Sequence, residues 1–496
     1  MSILIGWAEE SLVPEKKVSL AGQFYERISE FVESEISVTA MAVEADGEEM
    51  IIVSCDTGEA KDSVVLAARE KFAEMNEEVD PEKIIICATH THTSLEIGDR
   101  GAQFAVSSTA RILEEFLPEG RKYIARVQTD ETVLSPEEGF ELLTDKIALA
   151  ADRAWKGRSE ALYANEFGRA PVGMNRRVCY NDGTAKMWGD TNSANFISLE
   201  GGNDSGIELI YTFDKNKKLT GIVANIACPA QILEQRSFIS ADFWGRAKAN
   251  LREKFGQDIH LLALCGAAGD QCPRDLVRWV NPETPICDPH VSRPNYIERK
   301  ADPSMFDISG CNKVGRRISN EIISVFEEIT EYKSEAVFRH TVTHMDMPLR
   351  KATLGDYEEA VRAIEAYVEK NKDRDFDFED NAKTYIHTGT IARFRRQQTE
   401  EVVPIECHFV RFGDVAFATN PYELYQDYAN VMKARSLARQ TFIVQLACGS
   451  HAYLATKKAE EHGHFSAYIA SGDTGYEGGN LLTRKTITEI NKLFTE

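Results

Sequence analysis

Two histidines stand directly after an apolar run that has the composition of a buried strand. The segment Thr89-His90-Thr91-His92 follows the apolar residues 84–88. In an extended backbone, side chains two residues apart lie on the same face, so both imidazoles could serve one transition-metal ion. The simpler alternative is a pair of hydrogen-bonded histidines in a polar loop.

Two cysteines also follow apolar runs. Cys228 ends the run 219–228 and precedes a proline, while Cys272 follows a turn of small residues at 265–270. Cys228 is either an inert core thiol or a thiolate metal ligand. The turn before Cys272 is either a plain tight turn or a loop whose amide groups face an anion or a developing oxyanion.

Two further polar side chains stand late in the chain. Glu423 follows the apolar run 415–419 and Tyr453 follows the run 441–447. Glu423 could be a carboxylate favoured at a helix N-terminus, and Tyr453 could be a packed aromatic residue. In an open α/β sheet, sites form at the carboxyl ends of strands, so we expect these segments to meet.

Apolar runs alternate with segments of helical period, which predicts an α/β fold with a mixed β-sheet layered with helices. Several of the runs are continuous, as in strands buried on both faces. The predicted strands are 50–55, 83–88, 206–213, 219–228, 259–265, 404–411, 415–419 and 441–447. The predicted helices are 61–78, 136–155, 242–255, 312–331, 354–369 and 423–435.

Neither an internal repeat nor a Gly/Ser-rich or Pro-rich linker divides the sequence, so we expect one catalytic domain over residues 1–496. The stretch 271–304 is rich in Pro, Asp and Arg and is predicted to be a long irregular lid or rim. The charged run 370–380 is predicted to be a solvated surface loop.

Composition narrows the class of partner. The net charge of −22 disfavours nucleic acid and anionic membrane surfaces and leaves a small-molecule substrate. No secretion signal or window of roughly 20 apolar residues is present, which predicts a cytoplasmic protein without stable membrane association. The ten cysteines lack the dense spacing of a secreted disulfide scaffold.

The order of these segments and their residue types resemble those of the catalytic domain of the neutral/alkaline ceramidases. The resemblance runs from Gly6-Trp7-Ala8-Glu9 to Gly475-Tyr476-Glu477-Gly478-Gly479 and so covers nearly the whole chain. Its most specific parts are Thr89-His90-Thr91-His92, Met174-Asn175-Arg176-Arg177, Ile239-Ser240-Ala241-Asp242, and Gly269-Asp270 followed by Cys272-Pro273. The chain combines Ala227-Cys228-Pro229-Ala230-Gln231 with Gly269-Asp270-Gln271-Cys272-Pro273. This combination resembles a separate bacterial branch of that family.

The resemblance implies a site with one zinc ion. The implied zinc ligands are His90, Glu423, Tyr453 and, where the family has a second histidine, Cys228. His92 corresponds to a histidine beside the metal, Arg176 to an arginine of the substrate cavity, and Cys272 to a serine proposed as nucleophile or substrate contact. The catalytic residues expected from the family are therefore His92, Cys272 and Arg176.

The predicted function is zinc-dependent hydrolysis of amide C–N bonds, with a zinc-activated water attacking the carbonyl. The family's C-terminal immunoglobulin-like domain and secretion signal are not recognisable here, so we expect a small polar amide as substrate. Polar groups for it are predicted from Asn175, Arg176, Arg177 and residues 275–293. The alternatives are a ceramidase proper, a metal-free thiol hydrolase or transferase using Cys272 with His92 as base, and a binding protein with a drifted site.

Overall fold

The computed structural model describes residues 2–98, 108–124, 131–277 and 307–495. Its strands are β1 (Ile3–Ser11), β2 (Ser37–Ala45), β3 (Glu48–Cys55), β4 (Ile84–Ala88), β5 (Ser159–Arg169), β6 (Met174–Asn175), β7 (Arg177–Tyr180), β8 (Ala185–Met187), β9 (Phe196–Leu199), β10 (Gly206–Asp214), β11 (Leu219–Ile226), β12 (His260–Cys265), β13 (Gln271–Cys272), β14 (Phe338–Pro348), β15 (Val402–Phe412), β16 (Val415–Thr419), β17 (Glu423–Leu424), β18 (Gln440–Val444) and β19 (Tyr453–Leu454). Its helices are α1 (Asp62–Met75), α2 (Ser108–Glu114), α3 (Pro136–Lys156), α4 (Asp242–Phe255), α5 (Ile308–Glu327), α6 (Leu354–Asn371), α7 (Phe378–Arg396), α8 (Gln426–Arg435), α9 (Lys457–His462) and α10 (Tyr476–Thr495).

Two main sheets carry most of the strands. The larger has the order β12-β11-β10-β5-β1-β2-β3-β4, and the smaller has the order β14-β15-β16-β18. Both are mixed, because the pairs β11–β12, β3–β4 and β16–β18 are parallel while their neighbours run antiparallel. The predicted α/β fold with a mixed sheet is therefore confirmed.

Alternating side chains place the two sheets against each other between layers of helices. Ile210 and Val223 of the larger sheet share an apolar cluster with Phe417 and Phe442 of the smaller sheet. Their chain neighbours, such as Leu209 and Ile222, turn the other way and pack with α4 and α5. The opposite face of the smaller sheet is covered by α8 and α10. A strand buried on both faces needs apolar residues throughout, which explains the continuous apolar runs.

The ends of several strands are joined by backbone hydrogen bonds, both within the larger sheet and between the two sheets. Ala88 donates to the Leu446 carbonyl at 3.2 Å, Gly266 to the Ile226 carbonyl at 2.8 Å, and Gln445 to the Cys265 carbonyl at 3.0 Å. The segments that follow β4, β11, β12 and β18 therefore lie side by side, as expected from their positions after apolar strands.

Three local predictions need correction or lie partly outside the described residues. The predicted helix 423–435 begins only at Gln426, because Glu423 pairs with Tyr453 as a short strand. The predicted surface loop 370–380 is correct for residues 372–377, but its two ends belong to α6 and α7. Of the predicted lid, residues 278–304 lie outside the described part of the chain.

None of the helices in the described ranges combines the length and apolar character needed to cross a bilayer.

Candidate active site

His90 and His92 project from the segment that follows β4, and their rings meet edge to face. The ring centroids are 4.9 Å apart with an interplanar angle of 86°, and the two Nε2 atoms are 3.4 Å apart. The extended backbone expected at His90 is wrong, because its φ is +62°. This region is sparsely populated by residues other than glycine, and such strain is concentrated at functional sites. The left-handed turn brings the two rings together by a different geometry from the one predicted.

Hydrogen bonds on the far side of each ring set the tautomers. Nδ1 of His90 donates to the Gly58 carbonyl at 2.5 Å, and Nδ1 of His92 donates to the Gly22 carbonyl at 3.1 Å. Each Nε2 then presents a lone pair, and Glu423 Oε2 lies 3.4 Å from His90 Nε2. His90 Nε2 thus lies between a carboxylate oxygen and a second imidazole nitrogen, and the close approach of His90 Nε2 and Glu423 Oε2 calls for a positive group between them.

A zinc ion fits between His90 Nε2 and Glu423 Oε2, which are 3.4 Å apart. Bonds of about 2.0–2.2 Å to nitrogen and oxygen ligands place neighbouring tetrahedral ligands about 3.4 Å apart. The Nδ1 hydrogen bonds to backbone carbonyls are also the usual outer support of metal-binding histidines. The alternative is a proton shared between His90 and Glu423. Burial lowers the pKa of His90, but the Glu423 carboxylate outweighs this effect and raises the pKa overall.

Glu423 and Tyr453 reach the site through a two-residue parallel strand pair. They are register partners in β17 and β19, so their side chains lie next to each other. Burial opposes the charge of Glu423, but His90 and then Arg176 lower its pKa overall. Burial and the nearby Glu423 charge raise the pKa of Tyr453 well above its usual value. The pair therefore offers an ionised carboxylate beside a protonated phenol.

Arg176 closes another side of the site. Its Nη2 donates to the Tyr453 hydroxyl at 3.3 Å and to the Gly269 carbonyl at 2.9 Å, and Nη1 donates to Gln231 Oε1 at 3.3 Å. The side chain is almost fully buried, and its Nε has no hydrogen-bond partner among the described residues. A substrate oxygen beside Tyr453 would meet this buried cation.

Gln445 holds three of the site segments in register. Its fully buried side-chain oxygen accepts hydrogen bonds from the amide nitrogens of Ala268 at 2.9 Å and Leu424 at 3.0 Å. Gly269 in turn donates its N–H to the Leu424 carbonyl at 2.9 Å. Gln445 was not predicted as a site residue, because no motif distinguishes it in the sequence.

Glu234 is a second functional candidate that sequence reasoning missed. Its Oε2 lies 3.6 Å from His92 Nδ1 and accepts a hydrogen bond from Gln231 Nε2 at 3.0 Å. Because Gln231 also accepts from Arg176, hydrogen bonds join Arg176 through Gln231 to Glu234, whose carboxylate lies 3.6 Å from the ring of His92. Burial raises the pKa of Glu234. Its position six residues after Cys228, in the segment that leads to Ile239-Ser240-Ala241-Asp242, is the only sequence signal that could have found it.

The two cysteines lie near the site but not in its centre. Cys228 and Cys272 are both fully buried, and burial raises the pKa of Cys228 well above normal and that of Cys272 to about 11. In the described ranges, two groups of three or more His, Cys, Asp or Glu ligand atoms lie within 4.8 Å of one another, and neither includes Cys228, His90, His92 or Glu423. Zinc ligation by Cys228 and catalysis by Cys272 stay predictions.

Of the three polar residues expected to bind substrate at 175–177, one faces the site and two are paired elsewhere. Arg176 faces the site, but the Asn175 amide donates to Asp270 Oδ2 at 2.7 Å and Arg177 pairs with Glu200 in the interior. Residues 278–293 of the predicted rim lie outside the described part of the chain.

A cavity of about 360 Å³ lies against the two glycines that orient the histidines. The described residues of its wall include Gly22 and Gly58, together with aromatic residues and carboxylates, namely Phe24, Tyr25, Tyr123, Phe378, Tyr385, Glu26, Glu59 and Glu96. Gly22 has a φ of +92°, and a Cβ there would lie 2.6 Å from the His92 ring, so glycine is required at this contact.

Comparison with solved structures finds the crystal structure of the neutral ceramidase from Pseudomonas aeruginosa. It matches with a TM-score of 0.66 and 14% identity over 99% of this chain and 74% of that chain. A ceramidase complexed with C2 matches with a TM-score of 0.67 and 13% identity over 100% of this chain and 76% of that chain. No protein-family model matches the sequence, and no curated protein does. The chain therefore has the fold of the neutral ceramidases, as its sequence resemblance implied.

Proposed function

We propose that the protein is a zinc-dependent hydrolase of amide C–N bonds. The observation that carries the proposal is the 3.4 Å approach of His90 Nε2 and Glu423 Oε2, two zinc-type ligand atoms, with Tyr453 as the register partner of Glu423 and His92 Nε2 at 3.4 Å from His90 Nε2. The neutral ceramidase fold supports the same assignment.

His90, Glu423 and Tyr453 would hold the zinc, with Cys228 as the remaining ligand if its thiol turns toward them. Bound there, zinc would polarise the amide carbonyl and lower the pKa of a water molecule. A catalytic site of this kind needs one position open for water or substrate.

The chain's own groups supply the proton transfers and the charge stabilisation. Burial and the neighbouring His90 lower the pKa of His92, so its Nε2 is unprotonated and can take a proton from the attacking water. The same atom can then return that proton to the leaving amine. Arg176, hydrogen-bonded beside Tyr453, is placed to stabilise negative charge on the carbonyl oxygen.

A small polar amide is the proposed substrate. The cavity beside Gly22 and Gly58 is near the lower end of the range of about 300–1,000 Å³ for ligand sites, and its wall mixes carboxylates with aromatic rings. It adjoins the site through these two glycines, and its described wall contains none of the proposed zinc ligands. Hydrolysis of N-acylsphingosine is the second candidate, which the similarity to two ceramidase structures favours. A nucleophilic Cys272 is disfavoured, because a thiol with a pKa of about 11 is protonated at neutral pH.

The test is removal and return of the metal, followed by a substrate panel. Chelated protein should lose hydrolysis of amides and regain it with zinc, and Glu423→Gln should lose both zinc and activity. Glu365→Gln changes an exposed glutamate on α6 and serves as the matched control. Full activity after complete metal removal would contradict the proposal. Faster cleavage of long-chain ceramide than of short polar amides would replace the proposed substrate by the second candidate.

A further inference from the structure

A second cluster of metal-ligating side chains lies outside the candidate active site. Cys179 on β7, Glu200 directly after β9 and His462 at the end of α9 bring their ligand atoms within 4.8 Å of one another. His462 Nδ1 is 2.8 Å from Glu200 Oε1 and 3.9 Å from Cys179 Sγ. We propose that these three residues bind a divalent transition-metal ion of the zinc type, separate from the ion of the active site.

Arg177 supports the cluster from behind. Its fully buried guanidinium donates through Nε to Glu200 Oε2, and through Nη2 and Nη1 to the carbonyls of Gly463 at 2.7 Å and Phe465 at 3.0 Å. Carboxylate ligands are commonly held by outer hydrogen-bond donors of this kind. The arginine thus fixes the carboxylate that offers Oε1 to the cluster and anchors the loop that follows His462.

A similar cluster elsewhere in the described residues shows what distinguishes this one. At Glu406, His408 and Cys448, the guanidinium Nη2 of Arg69 lies 2.7 Å from Glu406 Oε1 and 3.6 Å from Cys448 Sγ. That cation already bridges the carboxylate and the sulfur. At the Cys179 cluster, Arg177 donates to both Glu200 oxygens, including Oε1 at 3.4 Å, and to backbone carbonyls, but it does not bridge to the sulfur. An ion would there replace the proton between His462 Nδ1 and Glu200 Oε1 and take the Cys179 sulfur as its third ligand.

The chemistry and access of the cluster suit zinc. Thiolate, imidazole and carboxylate are all zinc ligands, and a water molecule can complete a tetrahedral set. The side chain of His462 is 24% exposed, so an ion can reach the cluster from solvent. Binding would displace the thiol proton of Cys179 into solvent, as metal binding to cysteine does generally.

The bound ion would connect β7 to α9 next to the active site. The loop after α9 carries Phe465, whose ring centroid is 5.7 Å from that of Tyr453. A metal crosslink at Cys179, Glu200 and His462 would therefore stiffen one wall of the site without supplying a reacting group.

Zinc content of the full-length protein tests the inference, measured by elemental analysis after equilibration with a zinc buffer. The wild type should hold about two ions per chain, and Cys179→Ser and His462→Gln should each hold about one. Cys311→Ser alters a buried cysteine of α5 and should leave the content unchanged. If Cys179→Ser does not fold, His462→Gln decides, since that side chain is partly exposed.

The two sites can fail separately. His90→Ala should remove one zinc and abolish hydrolysis, whereas Cys179→Ser should remove one zinc and retain hydrolysis. Equal zinc content in the wild type, Cys179→Ser and His462→Gln would overturn the second site, and so would a single wild-type ion that His90→Ala removes. A single wild-type ion that Cys179→Ser removes would support the second site and contradict the catalytic one.

Discussion

At the scale of single residues, the groups behind the two histidines determine what the site can do. The Gly58 and Gly22 carbonyls hold the Nδ1 protons of His90 and His92, so each Nε2 carries a lone pair, and the two Nε2 atoms lie 3.4 Å apart. Glu234 adds a carboxylate 3.6 Å from the Nδ1 of His92. Such outer partners orient a ring and fix its tautomer, and they are important although they do not touch the substrate.

Replacing Glu234 by Gln should reduce turnover more than binding. The neutral amide no longer stabilises the Nδ1–H of His92, and we expect kcat to fall roughly 10- to 100-fold while KM changes little. Glu234→Asp should recover part of the loss. Steady-state kinetics and zinc content on the same preparations check this, with Glu365→Gln as control. An unchanged kcat, or a loss of zinc equal to the loss of activity, would refute the positioning role.

At the scale of elements, the site depends on short strands and on close backbone contact. β17 and β19 have two residues each, yet they fix Glu423 beside Tyr453. Gly269 packs against the backbone of Glu423 so closely that a Cβ at this position would overlap the Glu423 carbonyl.

Gly269→Ala should therefore disturb the metal site while the main sheets stay folded. The added methyl must push β17 away, and we expect zinc affinity and hydrolysis to fall together. Gly355→Ala on α6 is the matched control, because its Cβ would meet only the Thr353 hydroxyl oxygen at 3.7 Å. Zinc titration and circular dichroism measure the two effects. Wild-type zinc affinity in Gly269→Ala would show that β17 does not position the ligand.

A buried ion pair joins α1 to β15. Arg69 holds Glu406 through two hydrogen bonds of 2.7 and 2.9 Å, and both side chains are largely buried. Glu406→Gln leaves the arginine charge without its partner, which should cost about 3–5 kcal/mol in the free energy of unfolding. Asp145→Asn at the exposed Lys71 pair should cost less than about 1 kcal/mol. Urea unfolding distinguishes the two, and equal losses would contradict the buried-pair assignment.

The same pair predicts a pH dependence. Burial opposes the charge of Glu406, but hydrogen bonds from His408 and Arg69 outweigh it and lower the pKa. A carboxylate with a depressed folded-state pKa stabilises above its unfolded pKa of about 4.3, and this stability is lost as the pH falls below that value. The stability difference between wild type and Glu406→Gln should shrink on acidification below about pH 4. A constant difference from pH 7 to pH 3 would be inconsistent with this linkage.

At the scale of the whole molecule, two sheets packed between helices bring distant segments to one point. The continuous apolar strands made the mixed sheet predictable, because strands buried on both faces have a clear composition. α7 was missed since its buried side includes Asp380, Thr384, Thr388 and Arg393, so no apolar period is visible.

The site shows the same contrast between features that a local sequence pattern encodes and features that it does not. His90, His92, Arg176, Glu423 and Tyr453 were predicted because each belongs to a motif with a specific residue order. Glu234 and Gln445 act through tertiary contacts that no local pattern encodes, and the left-handed turn at His90 is not visible in its residue type. Sequence thus predicted the residues that the structure brings together, and the structure adds the groups that hold them.

The most direct test of the central claim is a zinc-edge anomalous diffraction map of crystals of the full-length protein. The account predicts an anomalous peak about 2.0–2.2 Å from His90 Nε2 and from a Glu423 carboxylate oxygen. A fully zinc-equilibrated crystal with no peak between these two residues would contradict it.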